Sequence, residues 1–383
     1  MGDDPDASTS PSQPAADTGW SRRRLRARPR SRQMSAPATV VPTGFRHRVA
    51  EHAASGALRD VLEHHRLSYA PEPLSEGAVF GFSGALDLRV RIAPATIPTI
   101  DLEGRAPTLE LDLCRHLGID ARWHETSDPV AAWEQLRAQL VAGHPALVRA
   151  DRAELDYRDD ARHDTRHAVV ATSYDKGGDV VWVADGGFPE PQACRPRSLA
   201  AARTSQAWPE PARHGLLEIA QAQRLADPRA AVAAALTRVV SAMRRPPRPN
   251  HPHVRAGLAA ADALAAAWPE LPEASGTPLG ATLAAVRLRI RDGGTGGALY
   301  RSLQARFLHD AAALLGSPQL GRAALVCDDL ADAWRTLAAA IDSDAAEISH
   351  RAAHPWVHRI CALEHAHVEA LEEHLRIHRT LAA

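Results

Sequence analysis

The stretch from His163 to Phe188, HDTRHAVVATSYDKGGDVVWVADGGF, constrains this chain most, because its residue types and spacing fit two strands and a turn. His167 opens the run Ala168-Val169-Val170-Ala171-Thr172. Asp175-Lys176-Gly177-Gly178 supplies hairpin punctuation, and Val180-Val181-Trp182-Val183-Ala184 makes a second β-branched and aromatic run closed by Asp185. Residues facing each other in such a pair lie about 5 Å apart, so the hairpin predicts His167 beside Asp185. A base held by an orienting carboxylate is the arrangement of a hydrolase or acyl transferase with a cysteine nucleophile. The nucleophile is then expected upstream, at a helix start where the helix dipole lowers a thiol pKa. A suitable start lies at His52, where Leu58, Val61 and Leu62 share one face of a short helix, and that segment holds no cysteine.

The rest of the chain predicts an α+β fold with an all-helical continuation. At 383 residues with 45% hydrophobic positions it can bury two cores, which predicts a tail over 1–40, a mixed domain over 41–215 and a helical domain over 216–383. The tail is rich in Asp, Ser, Pro and Ala, then runs into a basic block between Ser21 and Arg32. It is expected to remain a solvated tail, and translation from Met34 is an alternative to Met1. In the mixed domain a helix is predicted at 54–65, a glycine-punctuated loop before a strand at 87–92, and a helix at 108–117. Asp128-Pro129 is expected to cap another helix ending at Gly143, and Ala146–Ala150 to form a buried strand. Beyond Leu216, apolar residues recur at helical spacing near 228–244, 255–268, 279–291, 298–315, 319–341 and 355–381.

Charge and cysteine content exclude several classes of function. A net charge of -1 gives no global field for nucleic acid or an anionic membrane surface. The four cysteines, Cys114, Cys194, Cys327 and Cys361, show no CxxC spacing, so neither a disulfide framework nor a zinc site is indicated and a reducing cytoplasm is expected. No run reaches the roughly 18 apolar residues of a membrane span. No metal ion and no cofactor is expected.

The order of short motifs resembles a known family. His52-x-x-Ser55-x-Ala57-Leu58-Arg59-Asp60, Leu74-Ser75-Glu76-Gly77-x-Val79-Phe80-Gly81, Gly104-Arg105, Thr126-x-Asp128-Pro129, Leu155-Asp156-Tyr157, Thr165-Arg166-His167, Tyr174-Asp175 and Val183-Ala184-Asp185 resemble the amino-terminal domain of the butirosin biosynthesis protein BtrH family. Gly294-Thr295-Gly296-Gly297-x-Leu299-Tyr300-Arg301-x-Leu303-x-x-Arg306-Phe307-Leu308, with Trp334, resembles the helical domain that follows it there. The resemblance implies a papain-like fold and transfer of an acyl group from a carrier-protein thioester to a small-molecule amine in antibiotic biosynthesis. It implies a catalytic base at His167, its acid at Asp185 and a nucleophilic cysteine at the position held by Ala53. The chain departs from the family at Ala53, at Ala168, where Asp is usual, at Ser173, where Gly is usual, and in the loosened loop Phe82–Ala85. A methyl group cannot attack a thioester, so an altered or silent acyltransferase is expected. Two alternatives are a thiol-independent amide-forming or amide-cleaving enzyme and a non-enzymatic scaffold.

His52, Ser55, Arg166 and Tyr157 are the expected substrate-contacting residues. Against that role stand a loop function for His52 and a capping or packing function for Ser55. Gly293–Gly297 before Arg301 reads as a tight turn, with an anion cradle as the alternative. Glu364-x-x-His367, with His365 and His374, reads as a solvated helix face rather than half of a di-metal motif. Cys114 reads as packing rather than as a recruited thiol.

Overall fold

The computed structural model describes residues 45–382 except 95, 160–161, 176, 178, 208, 221–223, 248, 250, 272–278, 293 and 343–344. The tail expected over 1–40, with Met34, lies outside the described residues, as do Lys176 and Gly178 of the hairpin turn and Gly293.

Among the described residues the first elements in chain order are α1 (Ala53–His64), α2 (Glu76–Phe82), β1 (Leu86–Ile92), β2 (Ile100–Arg105), α3 (Leu109–His116), β3 (Ala121–His124), α4 (Pro129–Val141) and β4 (Ala146–Ala150). The hairpin strands β5 (His167–Asp175) and β6 (Val180–Ala184) follow, then β7 (Gln192–Cys194), α5 (Pro196–Thr204), β8 (Leu216–Ile219), α6 (Pro228–Arg244), β9 (Val254–Ala256) and α7 (Leu258–Ala267). The chain continues through α8 (Leu279–Arg287), a π-helical turn at Leu288–Asp292, α9 (Arg301–Leu315), α10 (Pro318–Ala340) and α11 (Ala346–Ala382). The result is mixed α/β, with one antiparallel sheet ordered β3-β8-β4-β5-β6-β7 and a second ordered β2-β1-β9.

The helix boundaries follow local capping chemistry. Asp128 takes amide protons from Val130 and Ala131 at the start of α4, with Pro129 in the first turn. Ser75 and Asp227 cap α2 and α6 in the same way. Strand β5 is buried without a break from His167 to Ser173 because both of its faces are covered. Ala168 and Val170 join the core beneath α1 with Leu58 and Leu62, whereas Val169 and Ala171 join a smaller core with Leu136 of α4 and Leu199 of α5.

The continuation beyond 216 is not all-helical. β8 lies inside the larger sheet, paired with β3 and β4, and β9 extends the smaller sheet along β1. These strands have four and three residues, too short for a period to show, and their state is set by distant partners. The helix expected from 355 begins at Ala346 and runs through Pro355. Burial of Ala353, Val357 and Ile360 on its core face offsets the hydrogen bond that proline removes. Among the described residues no helix is long and apolar enough to cross a membrane.

Candidate functional site

The hairpin sets the first half of the site. Val170 pairs with Ala184, so Asp185 leaves β6 diagonally across from His167 at the start of β5. The His167 Nε2–H donates to Asp185 Oδ2 at 3.0 Å, which places the ring proton on Nε2 and leaves Nδ1 as the basic nitrogen. Asp185 is fully buried. Its Oδ2 also accepts from Tyr157 Oη at 3.1 Å and Arg158 Nη1 at 2.6 Å, and its Oδ1 from the Gly187 amide at 3.2 Å. Burial opposes ionisation of Asp185, but His167 and Arg158 outweigh it and hold the carboxyl well below the usual carboxylate range.

The start of α1 sets the second half. His52 is the N-cap, and its Nδ1 accepts from the Ser55 hydroxyl at 2.8 Å and the Ser55 amide at 3.4 Å. Burial, together with Arg105 and His167 nearby, drives the His52 pKa well below its ordinary value, so the ring is neutral with its proton on Nε2. Glu76 of α2 accepts the His52 amide at 2.7 Å and the Glu51 amide at 3.2 Å, fixing the backbone that leads into Ala53. Ala50 donates its amide to Gly186 O at 2.8 Å. A Cβ on Gly56 would come within 2.2 Å of Ala50 Cβ, and one on Gly186 within 2.9 Å, so these glycines let α1 and the loop after Asp185 close on Ala50. His47 bridges the same two pieces, with Nδ1 on Asp60 Oδ2 at 2.8 Å and Nε2 on the carbonyls of Phe188 and Asp185 at 2.9 and 3.2 Å.

Between the halves lies a cavity of about 270 Å³, whose wall includes His52, Ala53, Arg166, His167 and Asp185. Among the described residues its rim carries five guanidinium groups and four carboxylates, a polar lining of nearly balanced charge. The far wall comes from the segment before α9, through Thr295, Leu299 and Tyr300. That segment is a tight turn, with Gly294, Gly296 and Gly297 at φ of 71°, 67° and 73°, as the glycine run predicts. Leu299 and Tyr300 share the left-handed region at φ of 47° and 71°. Tyr300 stacks on Phe80 at 5.4 Å, meets the His52 ring edge-on at 5.1 Å and shares the cavity wall with Arg105.

The structure therefore brings His167, Asp185, His52, Arg166 and Ala53 to one cavity, and it places the other expected residues elsewhere. Ser55 is buried and spends its hydroxyl on His52, outside the wall, because two helical residues past Ala53 is about 200° around the axis. Tyr157 also stands outside the wall and holds Asp185. Cys114, Cys194 and Cys327 are buried and Cys361 half-buried, and none lines the cavity. Burial, helped by neighbouring acids, pushes the Cys114 and Cys194 thiols up to about 12. Arg301 faces away from the cavity in a buried ion pair with Glu364. Glu364 and His367 are wholly buried and His374 nearly so, which corrects the solvated-face reading of that helix. The roles of Arg105, Arg158 and Tyr300 escaped the sequence, although Gly104-Arg105 and Leu299-Tyr300 stood in the quoted motifs.

Residues 52–186 match the family model described as Butirosin biosynthesis protein H, N-terminal, and residues 197–371 match the one described as Domain of unknown function (DUF4872). The first match begins at the N-cap His52 and ends one residue past Asp185, and the two in this order support a BtrH-like chain. No curated protein matches.

Proposed function

We propose that this BtrH-like chain is a papain-like acyltransferase relative of natural-product biosynthesis that has lost covalent catalysis and retains the pocket for an acyl thioester and an amine. The single observation that carries the reading is the intact His167–Asp185 hydrogen bond at 3.0 Å on the wall of a cavity where α1 begins with a methyl group, Ala53, in place of a thiol. The family resemblance puts the nucleophile there. The balanced polar rim suits an amine acceptor and a polar donor arm, here a carrier-protein thioester.

A second reading rests on the same imidazole. With Nε2–H committed to the Asp185 carboxylate, Nδ1 is free to take a proton, so His167 serves as general base for direct attack by an amine on a bound thioester, and the leaving thiolate takes a proton from solvent.

The deciding experiment is intact-mass spectrometry of wild type and Ala53→Cys after incubation with an acyl thioester and, separately, a thiol alkylator at mildly acidic pH. A cysteine at the first residue of α1 would gain from the helix dipole and from the imidazolium, and both lower a thiol pKa. The expected outcome is no adduct on wild type and one acyl group at position 53 of the variant. Acylation of wild-type Ser55 or Cys114 would overturn the proposal. Amide formed by wild type without any adduct would select the second reading.

A further inference from the structure

Helix α11 lies along α7, and one clasp between them has a chemistry that packing alone does not require. Cys361 and His365 stand four residues apart on α11 and so share a face. Both aim a proton at the same oxygen of α7. Asp262 Oδ1 accepts from Cys361 Sγ–H at 3.3 Å and from His365 Nε2–H at 2.9 Å. The three donor atoms all lie within 4.8 Å of one another. The Asp262 side chain is 58% exposed and that of His365 36%, so ions in solution reach the cluster. None of the three residues lines the cavity described above.

Two protons directed at one carboxylate oxygen occupy the place that one cation would take. Metal–sulfur, metal–nitrogen and metal–oxygen bonds of about 2.3, 2.0–2.1 and 2.0–2.2 Å put tetrahedral ligands roughly 3.4–3.6 Å apart. The contacts at 3.3 and 2.9 Å reach that spacing by shifts of a few tenths of an ångström, which the exposed Asp262 and partly exposed His365 side chains allow around the half-buried Cys361. A thiolate, an imidazole and a carboxylate together select a borderline transition metal over magnesium or calcium, which take oxygen ligands only. We propose that Asp262, Cys361 and His365 form a zinc-type metal site with its fourth position open to water, and that it clasps α7 to α11. On binding, the thiol proton and the His365 Nε2 proton leave these atoms. The first goes to solvent, and the second moves to Nδ1 or to solvent, so that Sγ, Nε2 and Oδ1 each offer a lone pair to the metal.

The same helix face carries an internal competitor. His354 and His358, two turns and one turn before Cys361, hold their Nε2 atoms 3.0 Å apart, and an exposed histidine pair at this spacing also captures divalent cations. The test must therefore report the sulfur. Full-length protein, stripped with a chelator and kept reduced, is titrated with cobalt(II). The expected result is a thiolate-to-cobalt charge-transfer band in the near ultraviolet that saturates at one equivalent and is displaced by zinc(II). The band should be lost in Cys361→Ser, require at least about tenfold more cobalt in His365→Ala and Asp262→Asn, and be unchanged in His354→Ala and His358→Ala. Zinc should raise the thermal midpoint of wild type but not of Cys361→Ser. No charge-transfer band from folded wild type, a band surviving in Cys361→Ser, or a band that depends on His354 and His358 instead of His365 would overturn the proposal.

Discussion

Replacing Arg301 with methionine should be among the costliest single changes outside the cavity, and the structure sets its size. Arg301 and Glu364 are both fully buried, with Arg301 Nε donating to Glu364 Oε1 at 2.8 Å and Nη1 to Leu299 O at 2.7 Å. Without Arg301, Glu364 Oε1 keeps Trp334 Nε1 as its donor among the described residues, at 3.1 Å. His367, fully buried one helical turn from Glu364, has its pKa held down to about 3 chiefly by burial, which remains when Arg301 is gone, so it offers no compensating charge. Leaving one member of a buried pair uncompensated costs about 3–5 kcal/mol. At about 2.1 cal/mol/K per residue over roughly 320 described residues, unfolding entropy is about 0.7 kcal/mol/K, so a loss of about 4 kcal/mol lowers the midpoint by about 6 °C. Replacing both partners with methionine removes the stranded charge, and such double replacements are often neutral, so Arg301→Met/Glu364→Met should recover to within about 1 kcal/mol of wild type. Urea unfolding followed by circular dichroism and tryptophan fluorescence reads all four corners of the cycle. A single variant costing under about 1 kcal/mol, or a double variant costing the sum of the two singles, would refute the reasoning.

Two further outcomes bear on the cavity. Both ring nitrogens of His47 face acceptors; burial opposes its charge, but Asp60 and the carbonyls of Phe188 and Asp185 outweigh it and raise the pKa above 6.5. A raised folded-state pKa gives stability that is present in full below the unfolded value and is lost as pH climbs through the folded one. The urea midpoint should therefore fall from mildly acidic to mildly alkaline pH more steeply in wild type than in His47→Gln, and equal slopes would contradict this. Gly104→Ala would bring a Cβ within 2.6 Å of Leu299 Cγ and 2.8 Å of Tyr300 Cδ2, so it should cost about 1–3 kcal/mol and displace the Tyr300 wall. A stability change within about 0.5 kcal/mol would show that this wall yields freely.

The sequence by itself determined what is local. Asp128-Pro129, Ser75 and Asp227 announce helix starts because a capping side chain reaches only two or three residues along the chain. The β5–β6 hairpin was legible for the same reason, and with it the meeting of His167 and Asp185, which needs only a register and a diagonal. Tertiary structure decided whatever depends on residues far apart. β8 and β9 are strands because β3, β4 and β1 accept them, not because three or four residues carry a period. Glu364 and His367 look like surface groups on a polar stripe of α11, but α10, α6 and α7 pack around that helix and turn the stripe inward, where Arg301 from α9 meets Glu364. The far wall of the cavity is the extreme case: Tyr300 reaches His52 across some 250 positions, and no local pattern predicts such a contact, because it exists only once α2 and α9 have packed together.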